Sequence, residues 1–471
     1  MRRVAALAAA LCFAAAPVAS APPLLTDGMR ANLASLVAAA KGTDGAWETV
    51  RGLLEASGPR LTGSAGGALA VAWATRALEA RGFVNVHTEP VLAPHWERGE
   101  ESGRLLFPIP LKLSLCALGG SVGTAPEGVE ADVVEATSLE AVDTLGEKAK
   151  GKIVFIWQVM ERGPTGAGYG ATVPIRSNGA SRAAKVGAAA VVIRSVATSN
   201  ARFPHTGALN YAEGAPKIPA AALAVPDADL LHSYLSQGRR VRLRLTLGAR
   251  TLADAATANV VGEIRGRETP GEVIVVGGHL DSWDLGMGAE DDGAGCGIAI
   301  EAARLVGRLP RHPRRTIRVV LFANEENGLA GGLAYAKAHE AELPRHVAAV
   351  EADGGSGKAS GFDWTAGPSA APLLGELAEF LAPSGLGESR GGGGGADVGP
   401  MRLAGVPLFS AIQDSSRYFD VHHSADDTFD KVDREGLASN VATVAALLYT
   451  LAESETPVER IPEGERERRR R

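Results

Sequence analysis

Cysteine is scarce in this sequence: three in 471 residues, too few for the disulfide framework that holds small secreted domains together. Cys12 lies in the extreme N-terminal segment. Cys116 and Cys296 stand far apart in stretches of unlike character, so both are expected to be small buried hydrophobes and the fold must be held by packing. Basic charge is not in excess either: 48 Lys and Arg against 54 Asp and Glu leave a net charge of −6. That removes the clustered positive footprint of a nucleic-acid-binding protein. Past the N-terminus no run of about 18 apolar residues occurs, so no membrane span is expected in the mature chain. No internal repeat is visible. What remains, 45% apolar and 22% charged residues, is the composition of a globular protein with room for two or three domains.

The N-terminus has the grammar of an export signal. Arg2 and Arg3 precede an apolar run over residues 4–16, too short to span a membrane, and Ala19-Ser20-Ala21 supplies the small residues that a signal peptidase reads. Residues 1–21 are therefore expected to be a leader, and the mature chain to reach a periplasm or the cell exterior. Pro22 disfavours a cut directly after Ala21, which leaves the preceding bond open as well. Cys12 lacks the small residue expected before a lipid-modified cysteine.

Three stretches differ in pattern. Residues 29–82 read mostly as helix, with Leu69, Ala72, Trp73, Ala77 and Leu78 as one buried stripe ended by Gly82. Over residues 116–254, short β-branched runs such as Ile153-Val154-Phe155-Ile156 and Ala190-Val191-Val192-Ile193 alternate with Gly- and Pro-rich turns, which predicts a compact β-rich insert. From about 255 onward, continuous apolar strands at 273–277, 317–322, 347–351 and 406–412 are separated by helix-length amphipathic segments. One of these carries Ile298, Ala302, Leu305 and Leu309, and another covers 370–382. This is the signature of an α/β domain with a mostly parallel, helix-sandwiched sheet. The predicted organisation is a discontinuous catalytic domain (22–115 with 255–460), the insert, and a charged, solvated tail over 461–471.

In such sheets ligands bind beyond the carboxyl ends of the strands. The residues there agree with one another. Gly277-Gly278-His279-Leu280-Asp281 follows the first strand, Asn324-Glu325-Glu326 the second, Asp353 the third, and His422-His423 the fourth, while Asp291-Asp292 opens the intervening helix. Taken singly, each has an ordinary reading: a solvated loop acid, a surface histidine, or, for Asp291 or Asp292, a helix cap. Together they do not, because burying so many carboxylates in one place is prohibitive without cations. Two imidazoles and three carboxylates suit zinc and exceed one tetrahedral ion, so two ions sharing a carboxylate fit better.

The strings GGHLDSWD at 277–284, AEDDGAGC at 289–296, ANEENG at 323–328, EADGG at 351–355 and HHSADDT at 422–428 resemble the carboxypeptidase Q (plasma glutamate carboxypeptidase) branch of the di-zinc aminopeptidase family. The likeness runs from about 30 to 455. In the insert, GKIVF at 151–155, RAAKVGA at 182–188, PHTG at 204–207 and PKIPA at 216–220 resemble that branch's protease-associated domain. The resemblance implies a zinc-exopeptidase (phosphorylase/hydrolase-like) fold with two zinc ions per chain and a small-peptide substrate with a free amino terminus. It implies that Asp291 bridges the zincs, His279 and Asp353 complete one site, Glu326 and His423 complete the other, and Glu325 is the general base. No ligand position is substituted. Asp281 is placed to fix the His279 tautomer. A hydroxide held between zincs about 3.5–4 Å apart would be the nucleophile. A homodimer, and a lid or interface role for the insert, are implied by the resemblance alone.

Several readings stay open. Gly391 to Gly395 is a flexible surface loop or a mobile wall of the site. Trp283 and Asp284 line the cleft, or Trp283 is simply buried. Arg390 and Arg417 are candidates for reading a substrate carboxylate or are surface charges. Against the exopeptidase stand a glutaminyl cyclotransferase on the same fold, which works with one zinc, and a binding protein without chemistry; the complete ligand set and Glu325 count against both.

Overall fold

The structure, a computed structural model, describes residues 23–467. The expected leader and the end of the basic tail lie outside the described residues. Three helices, Asp27–Lys41, Gly45–Ser57 and Ala65–Ala80, come first. The first and third are capped by side chains: Thr26 accepts the Met29 N–H and Ser64 the Gly67 N–H, which satisfies donors a helix start leaves free. The third helix buries only part of the expected stripe: Ala77 and Leu78 are buried and Trp73 packs against the core. Leu69 is 52% exposed, and the inward face is Ala70, Ala74, Ala77 and Leu78, small residues over which the helix lies close to its neighbours.

The central sheet has eight strands in the order Val84–Ala93, Ala255–Ile264, Arg315–Phe322, Thr269–His279, His346–Glu351, Leu408–Gln413, Ala359–Thr365, Glu388–Gly391. The four middle strands are parallel. Antiparallel pairing continues on both sides. The parallel strands are buried on both faces, which is why they read as unbroken apolar runs. Val319 and Leu321 pack with Ile300 and Val444 of the helices Ala294–Gly307 and Arg434–Glu453. Val320 and Phe322 face the opposite layer, with Tyr335 and Met401. Among the strands that periodicity did not single out, Val84–Ala93, Ala255–Ile264 and Ala359–Thr365 are antiparallel to the central four, and their partly exposed residues dilute the pattern; Glu388–Gly391, at the edge, is exposed throughout.

A second eight-stranded sheet is built from residues between Glu101 and Leu247. Its parallel centre consists of Val129–Ala136, Ile153–Ile156, Ala190–Arg194 and Ala220–Leu223. Phe155 and Val192 face one core and Val154 and Ile193 the other. Cys116 and Cys296 are both free and buried. Of the described helices, Arg434–Glu453 is long and apolar enough by composition to cross a membrane, and 83% of its apolar window is buried inside the fold.

One buried histidine gives this architecture a pH signature. Tyr335 Oη lies 2.9 Å from His346 Nε2, and His346 Nδ1 lies 3.1 Å from the Glu342 carbonyl, an arrangement for a neutral ring. Burial holds this imidazole down at about 4. At pH 5 an unfolded chain has protonated the ring and the folded chain has not, so the folded state binds fewer protons and loses stability as pH falls. In urea unfolding at pH 7 and pH 5, wild type should lose roughly 2 kcal/mol more than His346→Gln between the two pH values. Equal losses would show the ring is charged in the fold.

Candidate active site

The ends of the parallel strands bring the expected residues together. Thr269–His279 ends on His279, and Glu325 and Glu326 follow Arg315–Phe322. Asp353 follows His346–Glu351, and His423 lies past Leu408–Gln413 and a short turn. Asp291 sits between two groups: one oxygen is 3.1 Å from His279 Nε2 and the other 3.1 Å from His423 Nε2. Asp353 lies 3.6 Å from His279 Nε2, and Glu326 lies 3.0 Å from His423 Nε2. His422 Nε2 stands farther from Asp291, at 3.5 Å, with its ring stacked on that of His423.

The two adjacent aspartates divide their tasks. Asp292 spends its oxygens on the backbone N–H groups of Gly295 (2.9 Å) and His279 (3.0 Å), capping the helix and tying it to the strand end. This close approach demands Gly278, where a Cβ would lie 2.3 Å from Asp292 Oδ2. Asp291 is thereby left to the histidines. Asp281 accepts the Glu325 N–H at 3.0 Å. The atom nearest His279 Nδ1 is the Asp281 carbonyl oxygen at 3.1 Å, with the carboxylate at 3.8 Å. Asp281 thus joins the His279 turn to the Glu325 turn.

Three holding residues escaped the sequence reading, which met Asp427 and Glu351 only as part of a motif. Asp427 accepts the N–H groups of Ala289, Glu290 and Asp291 at 2.7–3.2 Å and so orients the whole Asp291 loop. Burial pushes its carboxyl up to about 8. Arg60, fully buried, donates to the carbonyls of Leu280, Met287 and Gly288 at 2.6–2.8 Å. Glu351 accepts the N–H groups of Ala396, Asp397 and Val398, which pins the end of the glycine run. A buried charge committed to backbone groups leaves no periodic trace in a sequence.

The electrostatics ask for a cation. Burial alone would push His279 down, yet the carboxylates of Asp291 and Asp353 raise it well above the ordinary histidine range. Against the same burial, Glu326 and Asp291 carry His423 up to about 10. Burial, reinforced by Asp291, lifts Glu326 to about 7. Burial, with Asp353 and Glu326 beside it, lifts Glu325 well above the carboxylate range. Asp291 Oδ2 is buried and, although 3.1 Å from His423 Nε2, is not aligned with it for a hydrogen bond. Acid and imidazole atoms of His279, Asp291 and Glu326 lie within 4.8 Å of one another. Such a donor set fits divalent metal.

The second sheet's unit completes the site. Its Thr206 N–H donates to the His423 carbonyl (2.9 Å), and His205 Nδ1 lies 2.6 Å from the His422 carbonyl. Trp283, buried in that unit's core, donates its backbone N–H to Glu326 at 3.2 Å. Asp284 pairs with Arg98 at 2.6 Å. Arg390 pairs with Asp363 and Glu388 at the surface. Beside the acids lies a cavity of about 530 Å³, lined by Asp291, Glu325, Asp353 and His423 together with Tyr169 and Arg176.

A parallel-centred α/β sheet whose strand ends carry this donor set defines a metallopeptidase. Residues 259–448 match the model of peptidase family M28. The chain is 38% identical to carboxypeptidase Q of Bos taurus over 424 residues, 90% of this chain and 89% of that one. It is 38% identical to carboxypeptidase Q of Homo sapiens over 415 residues, 88% and 87% of the two chains. A solved structure of a peptidase M28 precursor from Shewanella amazonensis SB2B superposes with a TM-score of 0.90 at 40% identity, covering 92% of this chain and 98% of that one. A zinc aminopeptidase from Bacillus subtilis shares the fold, with a TM-score of 0.65 at 21% identity over 89% and 98% of the chains. The chain belongs to peptidase family M28, on its carboxypeptidase Q branch.

Arg60 supplies a direct test of how the loops are held. Arg60→Met leaves three carbonyls without their donor and should cost on the order of 3 kcal/mol or more, read as a lowered thermal midpoint. An unchanged midpoint would mean that the 280–288 loop is held by other contacts.

Proposed function

We propose that this chain is an exported exopeptidase working with two zinc ions on dipeptides or short peptides that carry a free amino terminus. The observation that carries the reading is the position of Asp291, one oxygen towards His279 and the other towards His423. His279, Asp291 and Asp353 would hold one ion, and Asp291, Glu326 and His423 the other. When bound, the ions would polarise a carbonyl and lower the pKa of water.

The chain's own residues do the rest. Glu325 lines the cavity beside these groups and has no place in either ligand set, so its carboxylate is free to accept a proton. It takes that proton from the attacking water as oxygen adds to the scissile carbonyl carbon. It then delivers the proton to the amine nitrogen as the C–N bond breaks. Asp281, through the Glu325 N–H, keeps the base in register with His279. The carboxylates of the ligand set and Glu325, which line the cavity, anchor the substrate ammonium. The unit built on the second sheet is read as a protease-associated insert, and the active species as a homodimer. A glutaminyl cyclotransferase, the reading from a different reaction class, calls for one zinc, which the two-sided contacts of Asp291 disfavour.

Glu325→Gln should keep its fold and two zinc ions per chain while turnover of a dipeptide library falls roughly 10²- to 10⁴-fold. Near-normal turnover would remove Glu325 from the role of base. One zinc per chain in active, fully loaded wild type would remove the paired-ion reading.

A further inference from the structure

The two halves of the ligand set are mounted differently. His279 and Asp353, private to one ion, are held by the central sheet. His279 ends a strand, its N–H is held by Asp292 at 3.0 Å, and its Nδ1 lies 3.1 Å from the Asp281 carbonyl. Asp353 follows the strand His346–Glu351. Among the described residues, no hydrogen bond from the second sheet's unit reaches either of them. Glu326 and His423, private to the other ion, both lean on that unit.

His423 has a φ of 63°, in the left-handed region that a residue with a side chain rarely adopts and keeps only where its surroundings hold it there. Two contacts from the second unit fix the peptide groups on either side of its Cα. His205 Nδ1 lies 2.6 Å from the His422 carbonyl, so that nitrogen carries the hydrogen and donates it. The Thr206 N–H donates to the His423 carbonyl at 2.9 Å. His205 is firmly anchored in its turn. It is 2% exposed, its N–H donates to Ser195 Oγ at 2.9 Å, and that hydroxyl donates to the Leu223 carbonyl at 2.7 Å. Ser195 follows the strand Ala190–Arg194, and Leu223 ends the parallel strand beside it. The mount of His423 is therefore tied to the second sheet itself. Glu326 accepts the Trp283 N–H at 3.2 Å. The Trp283 ring is locked into the second unit's core, packed so closely that a Cβ on Gly119 would run into it.

We propose that the second sheet's unit governs occupancy of the metal site built on Glu326 and His423 and leaves the site built on His279 and Asp353 alone, with His205 as the positioning residue through which it acts. His205 has no place in either ligand set. It holds the backbone that aims His423 Nε2 at Asp291 and Glu326, and residues that orient a ligand set its affinity for the metal. How the two units seat on one another then decides whether the chain carries one ion or two. This inference rests on the paired-ion reading above.

The test is a zinc titration of the full chain against a chromophoric chelator. It compares wild type with His205→Phe, which keeps a ring and loses the donor, and His205→Asn, whose amide nitrogen can stand where Nδ1 stands. In His205→Phe one of the two zinc affinities should fall about 10- to 100-fold and the other stay within about twofold of wild type, with the thermal midpoint of the zinc-free chain retained. His205→Asn should recover most of the loss. Adding His205→Phe to Glu326→Gln should remove no further zinc, and adding it to Asp353→Asn should leave almost none, which identifies the weakened site. Both affinities lowered alike, or neither lowered, would reduce His205 to a packing residue and overturn the proposal, as would a loss confined to the His279 and Asp353 site. Should His205→Phe fail to fold, Ser195→Ala, which frees the His205 backbone, carries the same comparison. Uptake of a single zinc by fully loaded wild type would instead remove the paired-ion reading, and this inference with it.

Discussion

Mutual repulsion among buried carboxylates is the force this structure is organised to hold in check. Asp291, Glu325, Glu326 and Asp353 converge on one cavity with Asp281 and Asp292 directly behind them, all in a region where charge is poorly screened. Two imidazoles placed between the acids, and a donor set suited to divalent metal, make that concentration tolerable. The parallel sheet contributes what a loop cannot. Its four middle strands end at one edge, so the segments at and beyond their ends are delivered to the same place by backbone pairing.

Around this centre the fold spends further buried charges on backbone geometry. Asp427 gathers the N–H groups of the Asp291 loop, Glu351 those at the end of the glycine run, and Arg60 the carbonyls of the 280–288 loop. Each converts a flexible segment into a rigid mount, because moving the loop would leave several polar groups unpaired at once. The glycine run, which reads on its own as a flexible linker, is thereby tied to the strand that carries Asp353.

The second sheet's unit is part of the site. His205 and Thr206 touch the backbone of the histidine pair, and Trp283 reaches from the first motif into that unit's core. Tyr169 and Arg176 line the cavity. The acids belong to the central sheet and Tyr169 and Arg176 to the other unit, so the relative seating of the two shapes the cavity.

The sequence by itself determined the α/β character of the second half, the strand ends that carry acids and imidazoles, and the branch of the family, since unbroken apolar runs and short polar motifs are local signals. It did not say that Asp292 rather than Asp291 caps the helix, that Asp281 reaches the Glu325 N–H, or that Arg60, Asp427 and Glu351 hold the loops. Nor did it show that Arg176 lines the cavity, or that Arg390 pairs with Asp363 and Glu388. Only the tertiary structure decided these, because which polar group a buried charge meets depends on chain segments hundreds of residues apart being packed side by side.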